Sequence, residues 1–186
     1  MARAEARDRL LEAATALGSA RGVGALTVQG IATAAGVSKA LVLYHFGDKD
    51  AVLVALAARV ADHDMARIRE AAAEADPLEG WRRLASDTGG GGARALLAAL
   101  LLEPAVRPAA AAIRQKREEA ATALGGAVLA RVGLRPRHAP ALIGRVVLHQ
   151  LDGVAVAHPG GADGHAASAL DASLDAFALA LLALGD

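Results

Sequence analysis

The chain has 186 residues, of which 54% are apolar, only 2% are aromatic and none is cysteine. So few aromatic residues argue against β-rich folds, and the abundance of alanine and leucine predicts an all-α protein. Because 20 basic residues balance 20 acidic ones, the net charge is zero, which excludes a general attraction to polyanions. Any binding to nucleic acid must therefore depend on a few well-placed side chains.

The first predicted helix covers residues 3–20. Leu10, Ala14 and Leu17 recur there at helical spacing, and a pair of glycines follows as a stop signal. The N-terminal residues lack the apolar core of a secretion signal, and the longest apolar runs are too short to span a bilayer. The absence of cysteine fits a reducing compartment. We therefore expect a cytoplasmic protein without membrane contact.

Two short helices joined by a tight turn are predicted within residues 27–49. Thr27 is suited to cap the first of them, because its hydroxyl oxygen can accept from the free backbone amides at a helix start. Gly36 then breaks the run, since glycine adopts a positive φ at little steric cost, and Ser38 caps the second helix. This pattern indicates a helix-turn-helix, a motif whose second helix enters the DNA major groove.

The second helix of the pair has an inner and an outer side. Val42 and Phe46 lie one turn apart and are expected to point inward. The residues left for the outer side are Lys39, Ala40, Leu41, Leu43 and Tyr44. Lys39 can donate to guanine edges, whereas Leu41 offers apolar contact, most naturally to a thymine methyl group. Lys49, at the start of the next helix, is a point charge suited to a phosphate.

A long helix is predicted from Asp48 to about residue 75, with one continuous apolar face. At about 1.5 Å per residue it reaches well beyond a small DNA-binding unit and can link that unit mechanically to the rest of the chain. A further helix covers residues 77–88, and the glycines at 89–92 are expected to end it with a flexible joint.

The remaining predicted helices cover residues 93–102, 109–132, 142–157 and 166–184. The first is apolar on nearly every side and should be buried, whereas charge pairs such as Arg114 with Glu118 indicate a solvated middle of the second. The last two, about residues 140–158 and 166–184, carry more apolar surface than the end of one chain needs. We therefore expect a homodimer that joins these helices in a four-helix interface.

The histidines raise the question of a metal site. His149 and Asp152 lie one turn apart, but a metal site needs three or four converging ligands, and this pair has no obvious others. We therefore expect no metal and no other cofactor, and we expect this pair to be hydrogen-bonded in an interface or a pocket. Trp81, the only tryptophan, is either core filling or the wall of a pocket.

The segment LTVQGIATAAGVSKALVLYHFGDKDAVL resembles, without gaps, the N-terminal pattern of the TetR family of bacterial transcriptional regulators, and the likeness extends over residues 10–56. It implies an N-terminal three-helix helix-turn-helix DNA-binding domain, residues 1–47, and a C-terminal helical effector-binding and dimerisation domain, residues 48–186. It also implies that four residues approach DNA phosphates, namely Thr27, Tyr44, His45 and Lys49. Four others are implied to enter the major groove, namely Ser38, Lys39, Ala40 and Leu41.

The resemblance also implies a ligand pocket between the helices of the C-terminal domain. Our candidate lining residues there are His63, Trp81, Arg114 and His149. Three positions depart from the family pattern. Leu43 replaces a common tyrosine, and Gly18 and Val23 replace common aromatic residues, so a thinner and less stable core is expected under the motif.

The function predicted from these observations is a ligand-responsive transcriptional repressor that a small-molecule effector releases from a palindromic double-stranded DNA operator. One alternative is an effector-free, constitutive DNA-binding dimer. Another is a small helical enzyme with an appended helix-turn-helix, but the sequence lacks a catalytic triad pattern, and the glycines at 89–92 lack the Lys-Ser/Thr of a phosphate-binding loop. We therefore expect that the protein is not an enzyme.

Overall fold

The structure is a computed structural model that describes residues 2–86 and 88–157 and the single positions 175, 179 and 183. In this part of the chain the regular structure is helical and no β-strand occurs, which confirms the predicted all-α fold. The helices are α1 (Ala2–Arg21), α2 (Val28–Ala35), α3 (Lys39–Phe46), α4 (Lys49–Ala72), α5 (Pro77–Ser86), α6 (Thr88–Leu100), α7 (Arg107–Arg131) and α8 (Pro140–Ala157).

Local side-chain caps fix where α2, α3 and α4 begin. The capping oxygens accept hydrogen bonds from backbone amides three residues further along, at 2.9, 3.2 and 2.8 Å, and belong to Thr27, Ser38 and Asp48. Gly36, between α2 and α3, has a φ of 66°, a left-handed conformation that glycine adopts without strain. Both predicted caps and the predicted glycine turn are therefore confirmed.

The described helices form two apolar cores that share α4. The N-terminal core joins α1, α2 and α3 to the first half of α4, up to Ala61, and to the end of α6. The body core begins at Met65 and joins the second half of α4 to α5, α7 and α8. Since one continuous helix lies in both cores, α4 connects the helix-turn-helix rigidly to the body.

The space beside Gly18 is filled by another part of the chain. A Cβ atom placed on Gly18 would lie 2.8 Å from both methyl groups of Leu96 and 3.3 Å from a methyl group of Leu26. Leu96 belongs to α6 and is itself buried. The expectation of a thinner core at this position is wrong, because a leucine from a distant helix occupies the volume that an aromatic side chain would fill.

Other expectations about the body need correction. Residues 89–92 do not form a joint, because α6 already begins at Thr88 and runs through the glycines. The middle of α7 was expected to face solvent, but one side of it is buried, since Arg117 is only 1% exposed. The segment 93–102, predicted to be buried, is so only in part: five of its ten residues are buried, three are half-buried, and Ala99 and Leu102 are exposed.

The predicted dimer helices are described only in part. The apolar face of α8, including Ile143, Leu148 and Leu151, packs inside the body core of the same chain. Leu142 and Val156 are the exposed large apolar side chains of α8. The predicted helix at 166–184 lies outside the described residues apart from the positions 175, 179 and 183. Over the described ranges, no helix combines the length and apolarity needed to cross a membrane.

Candidate nucleic-acid interface and buried charge cluster

The helix α3 presents a free outer side. Val42 is fully buried and Phe46 is half-buried against the N-terminal core. On the opposite side Leu43 and Tyr44 are 43% and 64% exposed, and Lys39 is also exposed. The predicted inward side is therefore confirmed, and of the five residues predicted for the outer side four are exposed, whereas Leu41 is half-buried.

All eight residues that the sequence analysis assigned to DNA lie on or near this surface. Six are exposed and two, Leu41 and His45, are half-buried. The capping hydroxyl groups of Thr27 and Ser38 use their oxygens as acceptors for backbone amides, which leaves each O–H free to donate outward. Lys49 is the first residue of α4, exposed next to its capping residue. The contacts that these residues make with DNA remain predictions.

Two arginines that the sequence analysis missed lie against the aromatic rings of α3. The guanidinium carbon of Arg3 is 5.1 Å from the ring centroid of Tyr44, and that of Arg7 is 4.9 Å from the ring centroid of Phe46. The Tyr44 ring also meets the His45 ring edge to face, with centroids 5.3 Å apart. The available signal in the sequence was the spacing of four residues between the arginines, which places both on one side of α1.

The four candidate effector residues are not brought together. Trp81 is 2% exposed and lies in the body core, whereas His63, Arg114 and His149 are exposed. His63 lines an open groove of about 610 Å³ whose lining residues belong to α1, α4 and α6. The four residues therefore do not line one common pocket in the described structure, and their roles in binding a ligand remain predictions.

A cluster of four charged side chains lies in the interior, where α4, α6, α7 and α8 meet. Asp64, Arg94 and Arg117 are 4%, 2% and 1% exposed. Asp64 accepts from Nε of Arg94 at 2.6 Å and from Nε and Nη2 of Arg117 at 3.0 and 2.8 Å. Arg117 also donates two hydrogen bonds to the carboxylate of Asp152, at 3.0 and 2.6 Å. One residue from each of the four helices is therefore held in a single network.

The charges of this cluster balance, since two carboxylates face two guanidinium groups. Burial by itself lowers the pKa of Arg117, but the hydrogen bond to Asp152 and the charges of Asp64 and Asp152 outweigh burial, so the net pKa is raised above its usual value. Arg117 therefore stays charged at any pH below the strongly alkaline range. The folding stability that depends on its charge is lost only as the pH rises through its folded-state pKa.

Arg94 is less completely satisfied than Arg117. One of its terminal nitrogens donates to the backbone oxygen of Leu84 at 2.7 Å, and the other, Nη2, is buried without an acceptor among the described residues. The sequence signal for this cluster was a charged residue inside an apolar stripe, as Asp64 is between Val60 and Ile68. That signal identifies a buried charge but does not identify its partners, which lie 30 and 53 residues away.

A metal site has no support in the part of the chain that the structure describes, where no three His, Cys, Asp or Glu side chains are grouped so that they could hold an ion. His149 and Asp152 were expected to be hydrogen-bonded polar groups in an interface or a pocket. Asp152 binds Arg117, whereas His149 is exposed.

Comparisons with known proteins agree with a helix-turn-helix in the N-terminal part of the chain. The sequence model of the bacterial regulatory proteins of the tetR family matches residues 10–56. No functionally curated protein is similar enough in sequence to match. Among solved structures, the TetR family transcriptional regulator PfmR from Thermus thermophilus is 27% identical, with a TM-score of 0.64 over 92% of this chain and 97% of that one.

Two further structures show the same fold at lower identity. A transcriptional regulator from Rhodococcus sp. Rha1 is 24% identical, with a TM-score of 0.75 over 97% of both chains. The reduced form of NemR from E. coli is 16% identical, with a TM-score of 0.72 over 97% of both chains. The fold of these regulators therefore extends over nearly the whole length of the chain.

Proposed function

We propose that the chain is a DNA-binding transcriptional regulator of the TetR family and, more specifically, a repressor released from a palindromic operator by a small-molecule effector. The observation that supports this proposal is the course of α4. This helix begins beside α3, at the Asp48 cap, and carries Asp64 into the charge cluster of the body. A change in the body that moves Asp64 therefore also moves the base of the helix-turn-helix.

We propose that α3 reads the operator in the major groove. Lys39 donates to a guanine edge and Leu41 contacts a thymine methyl group, while Ser38 and Ala40 allow close approach at the start of the helix. Thr27, Tyr44, His45 and Lys49 hold the phosphates on either side and set the register of the helix in the groove. The free outer side of α3 is compatible with this arrangement.

A palindromic operator requires two such helices, and we propose a homodimer formed by residues 140–158 together with 166–184. Symmetric helix-turn-helix dimers place their reading helices about 34–36 Å apart, one turn of the duplex. The exposed Leu142 and Val156 on α8 supply apolar surface for this contact. We propose that residues 1–47 bind DNA and that residues 48–186 bind the effector and form the dimer.

The effector is proposed to bind in the body and to act through α4. With 24 residues, α4 is about 36 Å long, so a small tilt at its far end displaces its near end appreciably. Trp81, which lies in the body core, is our candidate for the wall that senses the effector, and His63, Arg114 and His149 are candidates for contacts on the rim. A coupling of about 1–3 kcal/mol between the two sites would relieve repression several-fold or more.

The experiment that tests the proposal is selection of genomic DNA fragments with the purified full-length chain. We expect a short palindromic sequence to be enriched and to be bound with a stoichiometry of two chains. Metabolites suggested by the genes next to the enriched sites are then added to the complex, and one of them should weaken binding. Linkage requires that operator DNA weakens binding of that metabolite by the same factor.

Three results would contradict parts of this proposal. If no duplex is enriched, DNA reading by α3 is wrong. If the enriched site is not palindromic and binds one chain, the dimer is wrong. If a palindrome is enriched but no metabolite changes the affinity, the protein is a constitutive DNA-binding dimer.

A further inference from the structure

We infer that Arg3 and Arg7 of α1 form a second phosphate-binding element on the DNA-facing surface, outside the helix-turn-helix. This inference rests on the proposed approach of α3 to DNA. It extends the set of DNA contacts to the first two turns of the chain, where no DNA contact was expected.

The two arginines are held beside α3 by aromatic rings. Arg3 lies 5.1 Å from the centre of the Tyr44 ring and Arg7 lies 4.9 Å from the centre of the Phe46 ring, both within the range of cation–π attraction. The Phe46 ring packs against the N-terminal core, so it is a fixed support. The side chains of Arg3 and Arg7 are exposed and one helical turn apart, so their positive charges lie side by side at the end of α3.

Stacking leaves the hydrogen-bonding edge of a guanidinium group free. A guanidinium group that lies flat on a ring contacts it with its face and keeps its N–H donors pointing outward in the plane, in the geometry that suits a phosphate. Among the described residues, neither Arg3 nor Arg7 is paired with a carboxylate. An arginine that is oriented in advance loses less conformational entropy when it binds a phosphate.

The nearby acidic residues of α1 do not cancel these charges. Asp8 is directed towards α4, where it is paired with Arg59 at 3.2 Å. Glu5 lies two positions from each arginine, and residues two apart on a helix do not face each other. Although the net charge of the whole chain is zero, the surface at the start of α1, next to Tyr44, is therefore locally basic.

The competing explanation is that the arginines only tie α1 to α3. Salt dependence separates the two explanations, because neutralising one phosphate contributes about 0.9 to the slope of log K against log salt, whereas a structural tie contributes nothing to that slope. In a dimer, loss of one arginine per chain should lower the slope by about 1.8. The ratio of the wild-type to the variant association constant should then fall about 12-fold between ~50 and ~200 mM salt.

The experiment measures binding of the full-length chain to the selected operator and to a mixed-sequence duplex by fluorescence anisotropy over that salt range. The variants are Arg3→Ala, Arg7→Ala and their lysine counterparts, Arg3→Lys and Arg7→Lys. Arg9→Ala is the matched control, because Arg9 is an exposed arginine on the same helix without a ring contact to α3. Thermal unfolding of each variant shows whether α1 remains docked.

We expect both alanine variants to lose slope on both duplexes, the lysine variants to keep it, and Arg9→Ala to leave it unchanged. Loss of affinity without loss of slope, together with a lower melting temperature, would show a structural tie and overturn the inference. Unchanged affinity and slope for both alanine variants, with the wild type binding normally, would overturn the inference while leaving the proposed function intact. If the wild type binds neither duplex, both proposals are wrong.

Discussion

Replacing Asp64 by alanine should destabilise the protein strongly, because this carboxylate joins two buried arginines. Asp64 is 4% exposed and accepts three hydrogen bonds, one from Arg94 and two from Arg117. Without it, Arg117 keeps only Asp152, and Arg94 keeps only the backbone oxygen of Leu84. Removing one partner of a buried ion pair costs about 3–5 kcal/mol, because the remaining charge stays buried and unpaired.

For a chain of this length, 1 kcal/mol lowers the melting temperature by about 2–4 °C, so Asp64→Ala should lower it by about 6–20 °C. The measurement is thermal and urea unfolding followed by circular dichroism. Asp62→Ala is the matched control, because Asp62 lies on the same helix but is exposed, and its replacement should change stability by less than about 0.5 kcal/mol.

A double-mutant cycle with Arg94→Met tests whether the loss arises from the pair itself. We expect the double variant to be more stable than the sum of the two single losses implies. Asp64→Ala leaves Arg94 buried without a carboxylate, and the double variant removes that unpaired charge, whereas Arg94→Met alone leaves Asp64 bonded to Arg117. If the free energy of unfolding of Asp64→Ala lies within about 1 kcal/mol of the wild-type value, the two arginines do not depend on this carboxylate for their burial, and our account of the body core is refuted.

Three further variants test the DNA contacts and the packing of the body. Lys39→Ala should cost about 1–3 kcal/mol and relax the preference at one position per half-site, as measured by binding to a panel of operator variants; an unchanged preference removes Lys39 from the base-reading set. Lys49→Ala should weaken all sequences alike and lower the salt slope by about one per chain, and a sequence-dependent loss in the same titration would contradict a phosphate contact. Gly144→Ala should destabilise by about 1–3 kcal/mol in urea, because the added Cβ would lie 2.5 Å from the backbone oxygen of Glu118 on α7. Gly153→Ala on the same helix is the control, because its added Cβ has no atom within 4 Å, and it should be neutral or stabilising. Equal effects of the two alanine variants on stability would show that α7 and α8 are not packed this closely.

The sequence determined the helix-turn-helix because its signals are local. Thr27, Ser38 and Asp48 each bond an amide three residues away, and Gly36 adopts its positive φ within the turn itself. The spacing of Val42 and Phe46 fixes which side of α3 faces the core. Interactions over so few residues can be read from the order of the side chains, and the family resemblance over residues 10–56 depends on the same signals.

The body was less predictable because its decisive interactions join distant parts of the chain. The run of glycines predicted a joint at residues 89–92, yet α6 runs through them, with its end packed in the N-terminal core. Leu96 fills the space beside Gly18, which no local pattern indicates.

The same limit applies to the charged residues. The sequence shows that Asp64 lies in an apolar stripe, and that Arg3 and Arg7 share one side of α1. Only the tertiary structure decided that Asp64 meets Arg94 and Arg117, and that the two N-terminal arginines lie on the rings of α3. The physical reason is that caps and turns depend on neighbouring residues, whereas buried ion pairs and ring contacts depend on how whole helices pack against one another.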